Sequence, residues 1–125
     1  MNKIVPLSLR RWFLIHFFID SFFGFPLLFA PQWTLQLFGF PAVEVVTARL
    51  VGAALLAIGS ISFLARNEKK EIYVILLKLK LFWSGAAIVG LLLSLSHEIS
   101  KALWLFVGIF LFFFLLWAYY LKKRT

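Results

Sequence analysis

The stretch WFLIHFFIDSFFGFPLLFA, residues 12–30, decides the fold because it is apolar over the length of a membrane span and yet contains His16 and Asp20. An acid at the centre of a membrane helix costs about 2.5 to 3.5 kcal/mol on insertion scales. The Leu, Ile and Phe residues around it contribute roughly −0.3 to −0.6 kcal/mol each and offset that cost. The segment can therefore insert, and Asp20 then needs either a partner or a function.

Composition places the whole chain in a membrane. The 125 residues are 63% apolar and 14% charged, whereas soluble domains are typically about 45 to 50% apolar and 25% charged. The net charge of +8 comes from Lys and Arg gathered in short blocks beside apolar runs, which indicates topology signals rather than nucleic-acid binding. The absence of Cys excludes disulfides and thiolate metal sites. We expect a multi-pass protein of the cell membrane whose surroundings are the lipid bilayer.

The apolar runs predict four spans, at about residues 12–30, 45–65, 74–95 and 102–121, in a single domain of residues 1–125. Residues 31–44 are predicted to be an outer interfacial loop or short helix, with a lid over a cavity as the alternative. Of the 13 basic residues, only Arg49 and Lys101 fall on the outer side, a strong positive-inside bias. The predicted fold class is all-α, an integral membrane four-helix bundle with cytoplasmic N- and C-termini.

The packing faces of the inner spans can be estimated from a turn of 100° per residue. Small residues let membrane helices approach closely. The predicted small faces are Arg49, Gly52, Ala53, Leu56 and Ser60 on the second span, and Trp83, Ala87, Gly90 and Ser94 on the third. Lys78 and Lys80 point about 200° apart, so we expect Lys80 near the small face and Lys78 extended to the headgroups. Trp104, Trp117, Tyr119 and Tyr120 are expected at the membrane interfaces.

Four ionisable residues form the candidate polar cluster: His16, Asp20, Arg49 and Lys80. At a rise of roughly 1.5 Å per residue, Asp20 lies about 12 Å from the inner end of its helix and Lys80 lies at a similar depth. Arg49 enters from the opposite side to a depth of about 6 Å. Depth favours Lys80 as the partner of Asp20, and the small-residue face favours Arg49.

Three interpretations of this cluster stay open. The polar residues can satisfy one another and fix helix packing, or they can form a binding or proton-handling site. An enzymatic role is the weakest, because the sequence contains no catalytic motif, metal-ligand cluster or phosphate loop. A haem is disfavoured because His16 and His97 lie in opposite halves of the predicted layout. We expect no cofactor and no metal.

The segment LFGFP, followed by TARLVGAALLAIGSISFLA, resembles the DoxX-like group of small four-helix bacterial membrane proteins. The specific part of this resemblance is Arg49-Leu50-x-Gly52 after the Gly-Phe-Pro turn. The resemblance implies a four-helix bundle of the bacterial inner membrane, mostly without an assigned activity. We expect a non-enzymatic structural or accessory component, with a homodimer or a membrane complex as its assembly. The alternative is a small transporter, or a quinone- or lipid-binding subunit that uses a polar cavity around Asp20.

Overall fold

The computed structural model describes residues 5–40, 44–94 and 101–123. Within these ranges the chain is helical and contains no strand. The helices are α1 (Leu7–Phe29), α2 (Pro31–Leu37), α3 (Val45–Leu64), α4 (Lys70–Leu93) and α5 (Ala102–Lys123). All but α2 are long and apolar enough to cross a membrane. The predicted all-α class and the four predicted spans are confirmed, while the orientation of the termini stays a prediction.

The observed helices extend beyond some of the predicted spans. Helix α1 begins at Leu7 rather than at residue 12. Helix α4, which corresponds to the third predicted span, begins at Lys70 rather than at residue 74. Both extensions contain Lys, Arg or Leu, which are good helix formers in water as well as in lipid. The predicted outer segment contains the short helix α2, which begins at Pro31 and is followed by Gly39 at a positive φ of 86°. Pro41, Lys3, His97 and Arg124 lie outside the described residues.

Residues Pro6–Glu68 form one compact unit, in which α1 packs against α3 and α2 contacts both helices. Buried residues follow each helix at intervals of three or four, which keeps them on one face. On α1 they are Leu9, Phe13, His16, Asp20, Gly24 and Leu27, and on α3 they are Ala48, Gly52, Leu55, Gly59 and Ser62. The polar residues of α1 therefore lie on its buried face.

Glycines bring the backbones of α1 and α3 into direct contact. A methyl group added at Gly52 would lie 2.7 Å from the backbone nitrogen of Leu28 and 2.9 Å from the carbonyl oxygen of Gly24. Distances this short leave no room for a side chain, so only glycine fits at Gly52. Such close approach is the usual way in which small residues associate membrane helices.

Arg10 binds the turn that follows α3, at the end of this unit that is predicted to face the cytoplasm. Its Nη1 donates to the carbonyl oxygen of Arg66, and its Nη2 donates to that of Glu68 at 3.0 Å. Carbonyls that follow a helix lack partners within the helix, and a guanidinium can bind two of them at once. The beginning of α1 is thereby tied to the turn that follows α3.

The second unit contains α4 and α5, which pack mainly through large side chains. Trp117 is fully buried and stacks on Phe113 with ring centroids 5.5 Å apart. Trp83 meets Phe110 edge to face at 6.0 Å. Aromatic pairs in these geometries contribute more than their buried area alone. Trp117 and Phe113 both belong to α5, so of these two pairs it is Trp83–Phe110 that joins α4 to α5.

The predicted small faces were correct only in part, since Gly52 and Leu56 of the face predicted on α3 do contact α1. On α3, Arg49 and Ala53 are exposed, and the buried stripe runs through Ala48 and Gly59 instead. On α4, Gly90 is exposed with open space around it. The physical reason is that these helices are apolar on all sides, so small size alone did not identify the face with a partner.

Candidate functional site

The centre of the candidate site is a pair of polar side chains one turn apart on α1. Nε2 of His16 lies 3.3 Å from Oδ2 of Asp20. Their residues are 4% and 5% exposed, so both side chains are removed from the solvent. An i, i+4 spacing places the two groups on one face of the helix, and Gly24 is buried on the same face.

Gly59 of α3 packs directly against Asp20 of this pair. A methyl group at Gly59 would lie 2.7 Å from Cβ of Asp20 and 3.5 Å from its Oδ2. The acid thus packs closely against the backbone of α3 at Gly59. Any side chain larger than hydrogen at position 59 would displace Asp20, and with it the carboxylate that faces His16.

Lys80 occupies a buried position in the unit formed by α4 and α5. It is 0% exposed, and its Nζ lies 5.1 Å from the centroid of the Trp117 ring. An ammonium at this distance is attracted by the negative face of the indole. One turn on, the hydroxyl of Ser84 donates to the carbonyl oxygen of Lys80 at 2.8 Å. The pairing of Lys80 with Asp20 stays a prediction.

Arg49 and Lys78 lie elsewhere. Arg49 is exposed on α3, and in the described part of the chain it forms no ion pair with Asp20. Lys78 is exposed as well, which fits the prediction that Lys78 and Lys80 point in different directions. Of the four predicted cluster residues, the structure brings His16 and Asp20 together.

Several residues that matter here were missed or misplaced by sequence reasoning. Trp117 was expected at an interface but is 0% exposed beside Lys80. Its position near the end of a span favoured an interfacial anchor, whereas the structure places it against Phe113 and near Lys80. Gly59 carried a weak signal, because it lies seven residues after Gly52 and therefore on the same helix face.

Glu44 caps α3 at its beginning and was also missed. Its carboxylate accepts hydrogen bonds from the backbone N–H of Val46 at 3.1 Å and of Thr47 at 2.6 Å. The side-chain hydrogen bond from Thr47, followed by these two backbone hydrogen bonds, holds the pKa of Glu44 below its usual 4.5. A negative charge at a helix N-terminus is also favoured by the helix dipole. The sequence signal was an acid directly before an apolar run.

The chemistry available to this arrangement is limited. Across residues 5–40, 44–94 and 101–123, no group of three His, Asp or Glu side chains could hold a metal ion. The imidazole and the carboxylate of the His16–Asp20 pair lie close together on the buried face of α1, and ionisable groups inside a membrane often mark ion or substrate paths. The pair can therefore form a polar part of the packing face of α1 or handle a proton.

The described part of the chain is thus helical, and it contains four apolar helices of membrane-spanning length. No family model, curated protein or solved structure matches this chain.

Proposed function

We propose that the chain is a small multi-pass protein of the cell membrane that acts as a structural or accessory component rather than as an enzyme. The close packing of Asp20 against Gly59 carries this proposal, because even a methyl group at Gly59 would lie 2.7 Å from Cβ of Asp20, which leaves no space for a substrate between α1 and α3 at that level. A buried imidazole and carboxylate at 3.3 Å provide a polar contact on the packing face. Polar residues at such positions commonly hold membrane helices in one arrangement.

The proposed location is a bacterial inner membrane, with both termini in the cytoplasm. The one-sided distribution of basic residues supports this orientation, and the resemblance to the DoxX-like group at Arg49-Leu50-x-Gly52 supports the location. Because the chain contains no Cys, single cysteines can be placed without a background. Lys69→Cys and Lys123→Cys should react with an impermeant thiol reagent only from the cytoplasm, and His97→Cys only from outside. Labelling of positions 69 and 97 from the same side would contradict this topology.

The structural role is tested with Asp20→Asn in two measurements on the full chain. If the acid fixes helix packing, the variant should unfold at a lower temperature in detergent than the parent. Liposomes that contain the parent and an internal pH dye should take up protons no faster than empty liposomes. Proton uptake that Asp20→Asn abolishes, with an unchanged unfolding temperature, would contradict the structural role and establish proton handling.

A second candidate function is supported by the burial of His16 and Asp20, which are 4% and 5% exposed on a membrane-length helix. Ionisable groups inside membranes often mark ion or substrate paths. The candidate is a small transporter, or a quinone- or lipid-binding subunit that uses a polar cavity around Asp20. Mass spectrometry of protein purified from its native membrane distinguishes the two. A quinone that stays bound to the parent and is lost from Asp20→Asn would favour this second function.

The assembly that we propose is a homodimer or a complex with another membrane protein. Large apolar side chains project from the first unit, including Phe18, Phe22 and Phe29, which are 66%, 72% and 71% exposed. Lipid covers such side chains adequately, so exposure alone does not require a protein partner. Cross-linking in native membranes followed by mass determination tests this assembly, and a product at the mass of a single chain would contradict it.

A further inference from the structure

A groove lies on the surface of the unit formed by α4 and α5, and none of its lining residues belongs to the His16–Asp20 pair. Its volume is about 520 Å³, and it is lined by Phe114 of α5 and by six residues of α4, namely Lys78, Leu81, Phe82, Gly85, Ala86 and Val89. Gly85 makes the groove possible at its centre, since a methyl group there would lie 3.2 Å from the ring of Phe114. Apart from Lys78, these residues are apolar.

Lys78 supplies a positive charge at one end of the groove. It is exposed, and in the described part of the chain it forms no hydrogen bond or ion pair. Side chains on a helix tilt toward its N-terminus, so the ammonium leans toward the end of α4 that carries Lys69 and Lys70. A lysine in this position extends toward the lipid headgroups while its methylene chain stays on apolar surface.

The length of the groove matches one leaflet of a bilayer. From Lys78 to Val89 the helix rises about 16 Å at roughly 1.5 Å per residue. Half of a hydrocarbon core of about 30 Å is about 15 Å. A cation at one end and an apolar channel of this length together match the charge of a phosphate group and the length of an acyl chain, and thus one phospholipid.

We propose that this groove binds an anionic phospholipid, with its phosphate at Lys78 and an acyl chain along Phe82, Ala86 and Val89 against Phe114. The charge of Lys78 selects an anionic headgroup over a zwitterionic one. The ring of Phe114 and the backbone at Gly85 hold the acyl chain. The site is independent of the proposed structural role of Asp20, since none of its lining residues belongs to α1 or α3.

Native mass spectrometry of the delipidated full chain, titrated with phosphatidylglycerol or phosphatidylcholine, tests the headgroup. Lys78→Gln should weaken phosphatidylglycerol binding about fivefold, the factor that one lysine near anionic lipid supplies, and should leave phosphatidylcholine binding unchanged. Lys69→Gln is the matched control, because it removes the same charge from an exposed position at the start of the same helix. Equal weakening by Lys78→Gln and Lys69→Gln would overturn the proposal, since it would show diffuse attraction rather than a site.

The acyl-chain channel is tested by Ala86→Leu, which adds bulk at an exposed position inside the groove. Both lipids should bind at least a few-fold more weakly, and the unfolding temperature should stay near that of the parent. Ala53→Leu makes the same change at an exposed position on α3 and should leave lipid binding unchanged. Undiminished lipid binding by Ala86→Leu would overturn the proposal. So would a lipid-free dimer that Ala86→Leu converts to a monomer, since a second copy would then fill the groove. If Ala86→Leu does not fold, the Lys78→Gln result decides alone.

Discussion

The α1–α3 pair and the α4–α5 pair bring membrane-length helices together by different means. In the first pair the backbones meet at glycines, and a methyl group at Gly52 would lie 2.7 Å from the backbone of Leu28. In the second pair aromatic side chains meet across the helices, with Trp83 of α4 edge to face with Phe110 of α5 at 6.0 Å. Gly90 and Gly108, in contrast, face open space. A glycine in a membrane helix therefore marks an interface only where another helix presents a matching surface.

The two pairs also bury ionisable groups differently. On α1 the carboxylate of Asp20 meets an imidazole from its own helix. On α4 the ammonium of Lys80 lies over the indole of Trp117, which belongs to α5. A local i, i+4 partner is visible in the sequence, whereas an aromatic partner from another helix is not. Variants of Trp117, in the α4–α5 pair, and of Gly52, in the α1–α3 pair, can therefore distinguish these two ways of packing.

The largest effect is expected from Trp117→Ala in the aromatic pair. Removal of a large, fully buried aromatic side chain typically costs about 3 to 5 kcal/mol, and this one also faces Lys80. Trp104→Ala is the control on the same helix, because Trp104 is 57% exposed, and it should cost much less. Free energies of unfolding in mixed micelles, measured against increasing denaturing detergent, provide the comparison. Equal losses for both variants would show that the burial of Trp117 does not stabilise the α4–α5 pair.

A smaller loss is expected from Gly52→Ala in the glycine pair. The added methyl group would contact backbone atoms of Leu28 and Gly24, which cannot move as a side chain can. Overpacking of this kind typically costs about 1 to 3 kcal/mol. Gly90→Ala, where space is open, should instead gain up to about 1 kcal/mol from helix propensity. The same unfolding measurement applies, and a loss in Gly90→Ala as large as in Gly52→Ala would remove the distinction between the two pairs.

The smallest effect concerns the beginnings of α3 and α4. Glu44 caps α3 with its side chain, whereas Lys69 at the start of α4 makes no side-chain cap. Because its hydrogen bonds lower the pKa of Glu44 in the folded state, the cap stabilises α3 above the usual pKa of 4.5 and is lost as pH falls through the lower folded value. Hydrogen exchange, corrected for its intrinsic pH dependence, should show loss of protection at Thr47 as the pH is lowered below 4.5.

The matched control for the cap is Glu44→Gln, which cannot lose a charge in this range. Its protection at Thr47 should be weaker than in the parent at neutral pH and should change little on acidification. Protection at Ile72, in the first turn of α4, should be the same in both proteins. A parent protein whose Thr47 protection is independent of pH would contradict the capping role of Glu44.

The existence of four spans could be predicted from the sequence, because hydrophobic length alone decides it. The short helix α2 and the opposite directions of Lys78 and Lys80 were also predictable, from composition and from the helical repeat. The face of each helix was not, because a helix that is apolar all round gives no phase. Arg49 was predicted to lie on the packing face of α3, whereas the structure buries its neighbour Ala48.

Other features depend on contacts between distant parts of the chain. The hydrogen bonds from Arg10 to the carbonyl oxygens of Arg66 and Glu68 use backbone acceptors, and every residue has one. The sequence therefore contains no pattern that identifies them. In the candidate site, the spacing of His16 and Asp20 predicts that they lie one helical turn apart on the same face. The packing of Asp20 against Gly59 could not be predicted, because it depends on how α1 is aligned along α3.

The most direct test of the structural role of the His16–Asp20 pair is a double-mutant cycle of unfolding free energies with His16→Leu and Asp20→Leu. Each single change leaves the other polar group buried without this partner, which typically costs about 1 to 3 kcal/mol. The double variant replaces both groups by apolar side chains of similar shape, so it should lose clearly less than the sum of the two single losses. We expect a coupling energy above about 0.5 kcal/mol. Strictly additive losses would show that the two side chains do not stabilise each other and would contradict the structural role of the pair.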